Sequence, residues 1–376
     1  MARNKRNVRF FRISPEMEKE QLNLNIFNIL KKEAALSISG ISERACLSDD
    51  IVAEYINSCV KKGLLKISGS GKGEPVKFNG DFGNILGVGF SGETCVLTVM
   101  DINGGIISKE QVGIRPLEEL KGKSKEINDI IEKIGTSTRF RETEFYCAGV
   151  AVPERLKEIN SKSPDMLAEG ISHLFDCDVL VGMAATAAGY GERDFGGQTK
   201  GRDVLYMHSD IGHGVVIKSE MIFEADEKAG EENKAYLRPW SQFSIAAAAR
   251  SLVNQGVGTD IVNMVDGDVD RITLGVVLDA AERNDELAED LVKRSGLALG
   301  VRIAYLVNMF NTDIVILGGG TEKKEGSFVQ FVRESAKKFL FKDRTDKLEI
   351  VPGVLGKEAF SVGAALLCRR ELFMEV

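Results

Sequence analysis

Asn84 to Ile107 reads NILGVGFSGETCVLTVMDINGGII. An apolar run reaches Phe90, Ser91-Gly92-Glu93 breaks it, a second apolar run reaches Met100, and Asn103-Gly104-Gly105 closes the segment. Two apolar runs around a tight glycine turn predict a β-hairpin. Downstream, VGMAATAAGYGE from Val181 to Glu192 predicts an alanine-rich helix, and TDIVILGGGTEKK from Thr312 predicts an apolar strand ending in three glycines. Glycines at a strand end let the chain turn into a following helix. Strands and helices interleaved in this way place the chain in the α/β class.

Upstream of the hairpin the texture differs. MARNKRNVRFFR carries five basic residues and no acid, which predicts a mobile arm. Leu22, Ile26, Ile29 and Leu30 recur at helical spacing, so Gln21 to Lys32 is expected to form an amphipathic helix. A short second helix fits Ile41 to Cys46. Ser48 is a natural N-cap for a third helix running to about Lys62, with Asp49 and Asp50 in its first turn and Gly63 as its stop. LLKISGSGKGEPVKF then supplies two strand-like pieces around a Gly/Ser/Lys turn. Three helices and a β-wing make a winged helix-turn-helix with Asp49 to Ser58 on the recognition helix.

Charge follows the same division. The net charge is −7, yet residues 1–80 hold 14 Lys/Arg against 9 Asp/Glu. A basic first module on an acidic body suits nucleic-acid contact by the first part alone. The six cysteines lack paired spacing and are expected to be reduced thiols. No apolar run approaches the ~20 residues that span a bilayer, so a cytoplasmic protein with no membrane partner is expected.

The order of these segments resembles the ROK family of sugar kinases and repressors, within the sugar-kinase/actin superfamily. FYCAGVAVPERL (145–156), VLYMHSDIGHGVVIKSEMIF (204–223), Ala229-Gly230-Glu231 and VLGKEAFSVGAALL (354–367) fall in family order. The resemblance implies a winged helix-turn-helix over 1–80. A two-lobed actin-like, ribonuclease H-like sugar-kinase fold would follow over 81–376. Lobe one would be about 81–185 plus the terminal helix 360–376, and lobe two about 186–359. Gly92, Gly212, Gly214, Gly318, Gly319 and Gly320 fall on its nucleotide turns as unused remnants, with no cofactor expected. DNA contacts would come from Arg3, Lys5, Arg6, Arg9, Ser48, Asp49, Asp50 and Lys72. A sugar or sugar-phosphate effector would meet Pro153, Glu154, Asp165, Thr186 and Glu231. A homodimer or tetramer is implied as well.

Departures from the family pattern bear on activity. Ala184 stands where the family places the Asp that takes a proton from a sugar hydroxyl, and a methyl group cannot accept one. Gly89 stands in the position of the metal-side Asp, Glu93 in that of a phosphate-turn Thr, and Asp210 in that of a turn Gly. The family's His and cysteine run for zinc is replaced by Lys234 and KAYLRPWSQFS, with Trp240 and Phe243 as apolar substitutes, so no metal is expected. His208, Asp210 and His213 would need a further ligand. The expected function is a ROK-type DNA-binding regulator that senses a sugar and lacks kinase activity. An ATP-dependent sugar kinase and a non-DNA-binding sensor or scaffold are the alternatives.

Overall fold

The computed structural model describes residues 7–12, 18–33, 35–68, 73–115, 120, 123–153, 156, 160–208, 213–218, 220–225, 245–320 and 326–376, without the side chains of Gln198, His213 and Ala225. The chain divides into two compact units. One holds residues 1–202, 218–222 and 357–376, and the other holds 203–217 and 223–356.

The first unit opens with strand β1 (Val8–Phe10) and helices α1 (Glu18–Lys32), α2 (Ile38–Ala45) and α3 (Asp49–Lys61). The Ser48 side chain accepts from Ile51 N at 3.4 Å and so caps α3, and Gly63 takes the left-handed φ of +80° just past its end. Strands β2 (Leu65–Ile67) and β3 (Val76–Phe78) pair antiparallel as the wing. Leu24, Phe27, Ile41, Val52 and Ile56 fill the centre of this module.

Next come β4 (Asn84–Ser91), β5 (Thr94–Met100), β6 (Ile106–Gly113), α4 (Ser124–Ser137), β7 (Phe145–Val152), α5 (Ser163–Phe175), β8 (Asp178–Met183) and α6 (Ala184–Phe195). The sheet order is β1-β8-β7-β4-β5-β6. The β4–β5–β6 meander is antiparallel, while β7, β8 and β1 run parallel to β4. Ser91 pairs with Thr94, leaving Gly92 and Glu93 as the two turn residues, as the hairpin reading expects. The basic arm is not wholly free, because its Val8–Phe10 segment is a strand on the β8 edge.

The second unit contains β9 (Val204–His208), β10 (His213–Lys218) and β11 (Met221–Ala225), whose first two residues cluster with the first unit. It continues through α7 (Ile245–Asn254), α8 (Ile261–Met264), α9 (Leu274–Glu282), α10 (Glu286–Phe310), β12 (Ile314–Gly318), α11 (Ser327–Phe339) and β13 (Glu349–Pro352). Its sheet order is β11-β10-β9-β12-β13. With β1 set aside, both sheets place their strands in the same order, 3-2-1-4-5 in chain sequence. Val292, Leu299, Ile303 and Val307 of α10 cover the second sheet together with Val329 and Val332 of α11.

The terminal helix α12 (Ala359–Met374) returns to the first unit, and nearly every residue of it is buried. The alanine-rich helix α6 also lies wholly in that unit, so the division falls after Arg202 rather than within α6. The cause is packing. At Gly363 a Cβ would stand 1.6 Å from the Ala187 carbonyl oxygen, so the two small-residue helices meet backbone to backbone.

Candidate functional site

On the winged helix, α3 turns Val52, Tyr55, Ile56 and Cys59 inward and leaves Asp50, Ile51, Glu54, Asn57 and Lys61 exposed. Ser39 on α2 donates to the Asp49 carboxylate at 3.0 Å, which fixes the turn between the two helices. Lys77 on the wing is exposed, whereas Lys66 is paired with Asp81 at 2.5 Å. Arg9 lies on β1 and pairs with Glu375 at 2.6 Å, so its guanidinium is committed within the protein rather than carried on a loose arm. Arg3, Lys5, Arg6 and Lys72 lie outside the described residues.

The module is fastened to α12. Phe373 stacks on Phe27 at 4.7 Å between ring centroids and meets Phe78 edge-on at 5.3 Å. The Arg369 guanidinium lies over Phe27 at 5.2 Å and over Phe78 at 4.6 Å, a cation–π contact removed from water. Tyr55 donates to the Phe373 carbonyl at 3.0 Å, and Asn23 donates to that of Met374 at 2.9 Å. Arg12 pairs with Glu371 and with Glu375 at 2.6 Å each, and with Glu20.

A second fastening is ionic. Lys31 of α1 reaches Asp194 at 2.7 Å and Glu220 at 3.2 Å, and Arg193 of α6 reaches Glu220 at 2.8 Å. Tyr190 also donates to Glu220, while Arg370 donates to the Glu220 carbonyl at 3.0 Å. Burial pushes the Glu220 carboxyl up, but Lys31 and Arg193 together outweigh it and hold it well below the usual carboxylate range. Such a cluster is costly to break, because removing one partner leaves the others charged and buried.

Among the described residues, Pro153 and Ala184 in the first unit and Gly318 in the second lie at the carboxyl ends of strands of their own sheets, where open α/β sheets bind ligands. In the first unit, Val152 pairs with Met183, so Pro153 and Ala184 are adjacent strand ends. Ala184, the first residue of α6, is buried with only its methyl group to offer. Thr186 is likewise buried, so its hydroxyl does not present an open surface group. Asp165 is exposed in the first turn of α5. Glu154, Gly212, Glu231, Trp240 and Phe243 lie outside the described residues.

Gly89 is more than a vacant acid position. A Cβ there would stand 2.5 Å from Ser361 N and 2.6 Å from the Phe360 Cβ, and at Gly87 it would stand 1.9 Å from the Ser361 carbonyl oxygen. Helix α12 therefore occupies the space into which an aspartate would extend. In the second unit Gly318 pairs with His208 across the strand ends. Gly319 and Gly320 are left-handed, with φ of +88° and +100°. A Cβ on Gly318 would stand 2.3 Å from the Tyr206 hydroxyl, and one on Gly319 would stand 3.0 Å from the His208 ring. Tyr206 and His208 are hydrogen-bonded at 3.2 Å, so the glycines accommodate the protein's own rings.

Neither β1 nor the Lys31–Glu220 cluster is evident from sequence motifs. Val8, Phe10 and Phe11 interrupting a basic run are the one local signal for β1, and Phe11 packs where a Cβ on Gly182 would stand 2.1 Å from its ring.

The profile of the ROK family matches residues 85–371, beginning just after the wing. The xylose repressor of Caldicellulosiruptor bescii is 23% identical over 84% of this chain and 87% of its own length. A solved ROK family transcriptional regulator, a homologue of E. coli MLC, superposes with a TM-score of 0.65 at 13% identity, over 95% of this chain and 97% of that one. A ROK family glucokinase from Streptomyces griseus gives 0.56 at 20% identity, over 76% of this chain and 99% of that one. Profile, motif order and fold agree, and the chain belongs to the ROK family.

Proposed function

We propose that this chain is a DNA-binding transcriptional regulator that has kept the sugar-kinase frame without phosphorylating sugars. The observation that carries the reading is the capped α3 and its wing, built onto the same α12 that fills the space beside Gly89. The first feature supplies a helix for the major groove, and the second bars the metal-side carboxylate. Ala184 removes the base as well, which by itself costs ~10²–10⁴ in rate. The repressor name of the xylose relative, matched over most of both chains, supports the same assignment. A sugar or sugar phosphate bound near Pro153 and Asp165 is the effector in this reading, with a dimer presenting two winged helices to two half-sites.

A gel shift with DNA flanking the chain's own coding region, run over a salt series, tests the reading. Binding that weakens steeply with salt is expected, because phosphate contacts release counterions. No shift at the lowest salt would refute it and favour a scaffold that inherited the fold.

A further inference from the structure

On α3, Asp50, Glu54, Asn57 and Lys61 are spaced i, i+4, i+7 and i+11, which places them in one row along the exposed face, with Ile51 at its flank. Val52, Tyr55, Ile56 and Cys59 occupy the opposite face and are buried. Asp49 is drawn toward α2 by Ser39, so it is not part of the row. Among the described residues, Glu54 and Asn57 have no side-chain hydrogen bond or ion pair, and neither is needed to hold the module together. The row contains no arginine, and its one cation, Lys61, lies about 10 Å beyond Glu54 along the helix at 1.5 Å per residue.

We propose that α3 reads its operator through Glu54 and Asn57, with Glu54 accepting a hydrogen bond from the exocyclic amino group of a cytosine. This rests on the DNA-binding reading given above. A carboxylate can only accept, and the major groove offers two amino donors, those of cytosine and adenine. Adenine places its N7 acceptor beside the amino group and repels a carboxylate there. Cytosine presents no acceptor on that edge. Asn57 both donates and accepts, which suits adenine N6 and N7 on the next turn toward the helix C-terminus. The half-site therefore carries a C·G pair read from its cytosine side and an A·T pair about one helical turn of α3 away. Phosphate contacts come from cations off the row, such as Lys77 on the wing, since the carboxylates repel the backbone.

Selection from a randomised duplex library with the full-length protein tests this directly, repeated with Glu54→Gln, Glu54→Ala and Asn57→Ala. The substituted positions are exposed, and a thermal melt alongside checks that each variant is folded. For the unsubstituted protein, an enriched motif with a C·G pair is expected. Glu54→Gln should move the preference at that one pair toward A·T by about tenfold, and Glu54→Ala should flatten it there. Asn57→Ala should relax a different pair only. An unchanged motif in both Glu54 variants would overturn the proposal while leaving DNA binding intact. Absence of any enriched motif, with no salt-dependent binding, would overturn the DNA-binding reading and this proposal with it.

Discussion

The two sheets share a strand order but use glycine in opposite ways. In the first, Gly87, Gly89 and Gly149 lie within strands, and their missing side chains let the α12 backbone lie directly on the sheet. In the second, Gly318 to Gly320 lie at a strand end, where Gly318 and Gly319 make room for Tyr206 and His208. The first unit has given its space to a helix whose far end holds the winged helix through Phe373 and Glu375. The second covers its sheet with helices α10 and α11 and uses its strand-end glycines for a turn. A shared topology therefore does not imply a shared use, and the first unit is the one whose sheet-covering helix also holds the amino-terminal module.

Substitution of the strand glycines of the first sheet should therefore be far less tolerated than substitution at the strand-end turn of the second. Gly89→Asp, which restores the family's residue type, should destabilise the fold by about 4 kcal/mol or prevent folding, because the side chain meets Phe360 and Ser361 backbone and Cβ atoms. Soluble yield and the urea midpoint report this. A Gly89→Asp protein as stable as the parent would remove the claim that α12 bars the carboxylate.

Glu220→Ala should cost about 3 kcal/mol, since the largely buried cations Lys31 and Arg193 lose one of the two carboxylates they share and are left with Asp194 alone. Hydrogen exchange in α1 should accelerate more than exchange in α10 of the second unit. The pH dependence follows from the lowered Glu220 pKa. A carboxyl held down in the folded state contributes stability above its unfolded value, and that contribution fades as pH falls from the ordinary carboxylate range toward the folded value. Acid unfolding of the parent should therefore show a stability loss below about pH 4.5 that Glu220→Ala lacks.

The smallest effect belongs to the second unit. Gly319→Ala puts a methyl group at φ +88° beside the His208 ring. It should cost about 1–2 kcal/mol, readable as a shift of a few degrees in Tm. A loss as large as that of Gly89→Asp would erase the distinction between the two sheets.

The winged helix was legible because its signals are local. Ser48 as cap, Gly63 as stop and the wing strands each act within a few residues of themselves. The β4–β5 hairpin was legible for the same reason. What escaped depends on partners far along the chain. Val8 to Phe10 becomes a strand only because β8 lies some 170 residues away with a free edge. Arg369, Arg370 and Glu371 look like surface charges in sequence, yet all are buried, because aromatic rings, carbonyl groups and Arg12 meet them. Gly89 read as a lost acid. Its steric need is visible only once α12, about 270 residues on, lies against β4.

In the reading proposed above, a sugar-kinase frame serves DNA binding without phosphoryl transfer. The most direct test incubates the full-length protein with Mg-ATP and a panel of hexoses, pentoses and N-acetyl sugars, and follows ADP release in a preparation shown to bind DNA. No sugar-dependent ADP above the protein-free rate is expected. Sustained sugar-dependent turnover, with the sugar phosphate identified by mass, would contradict it.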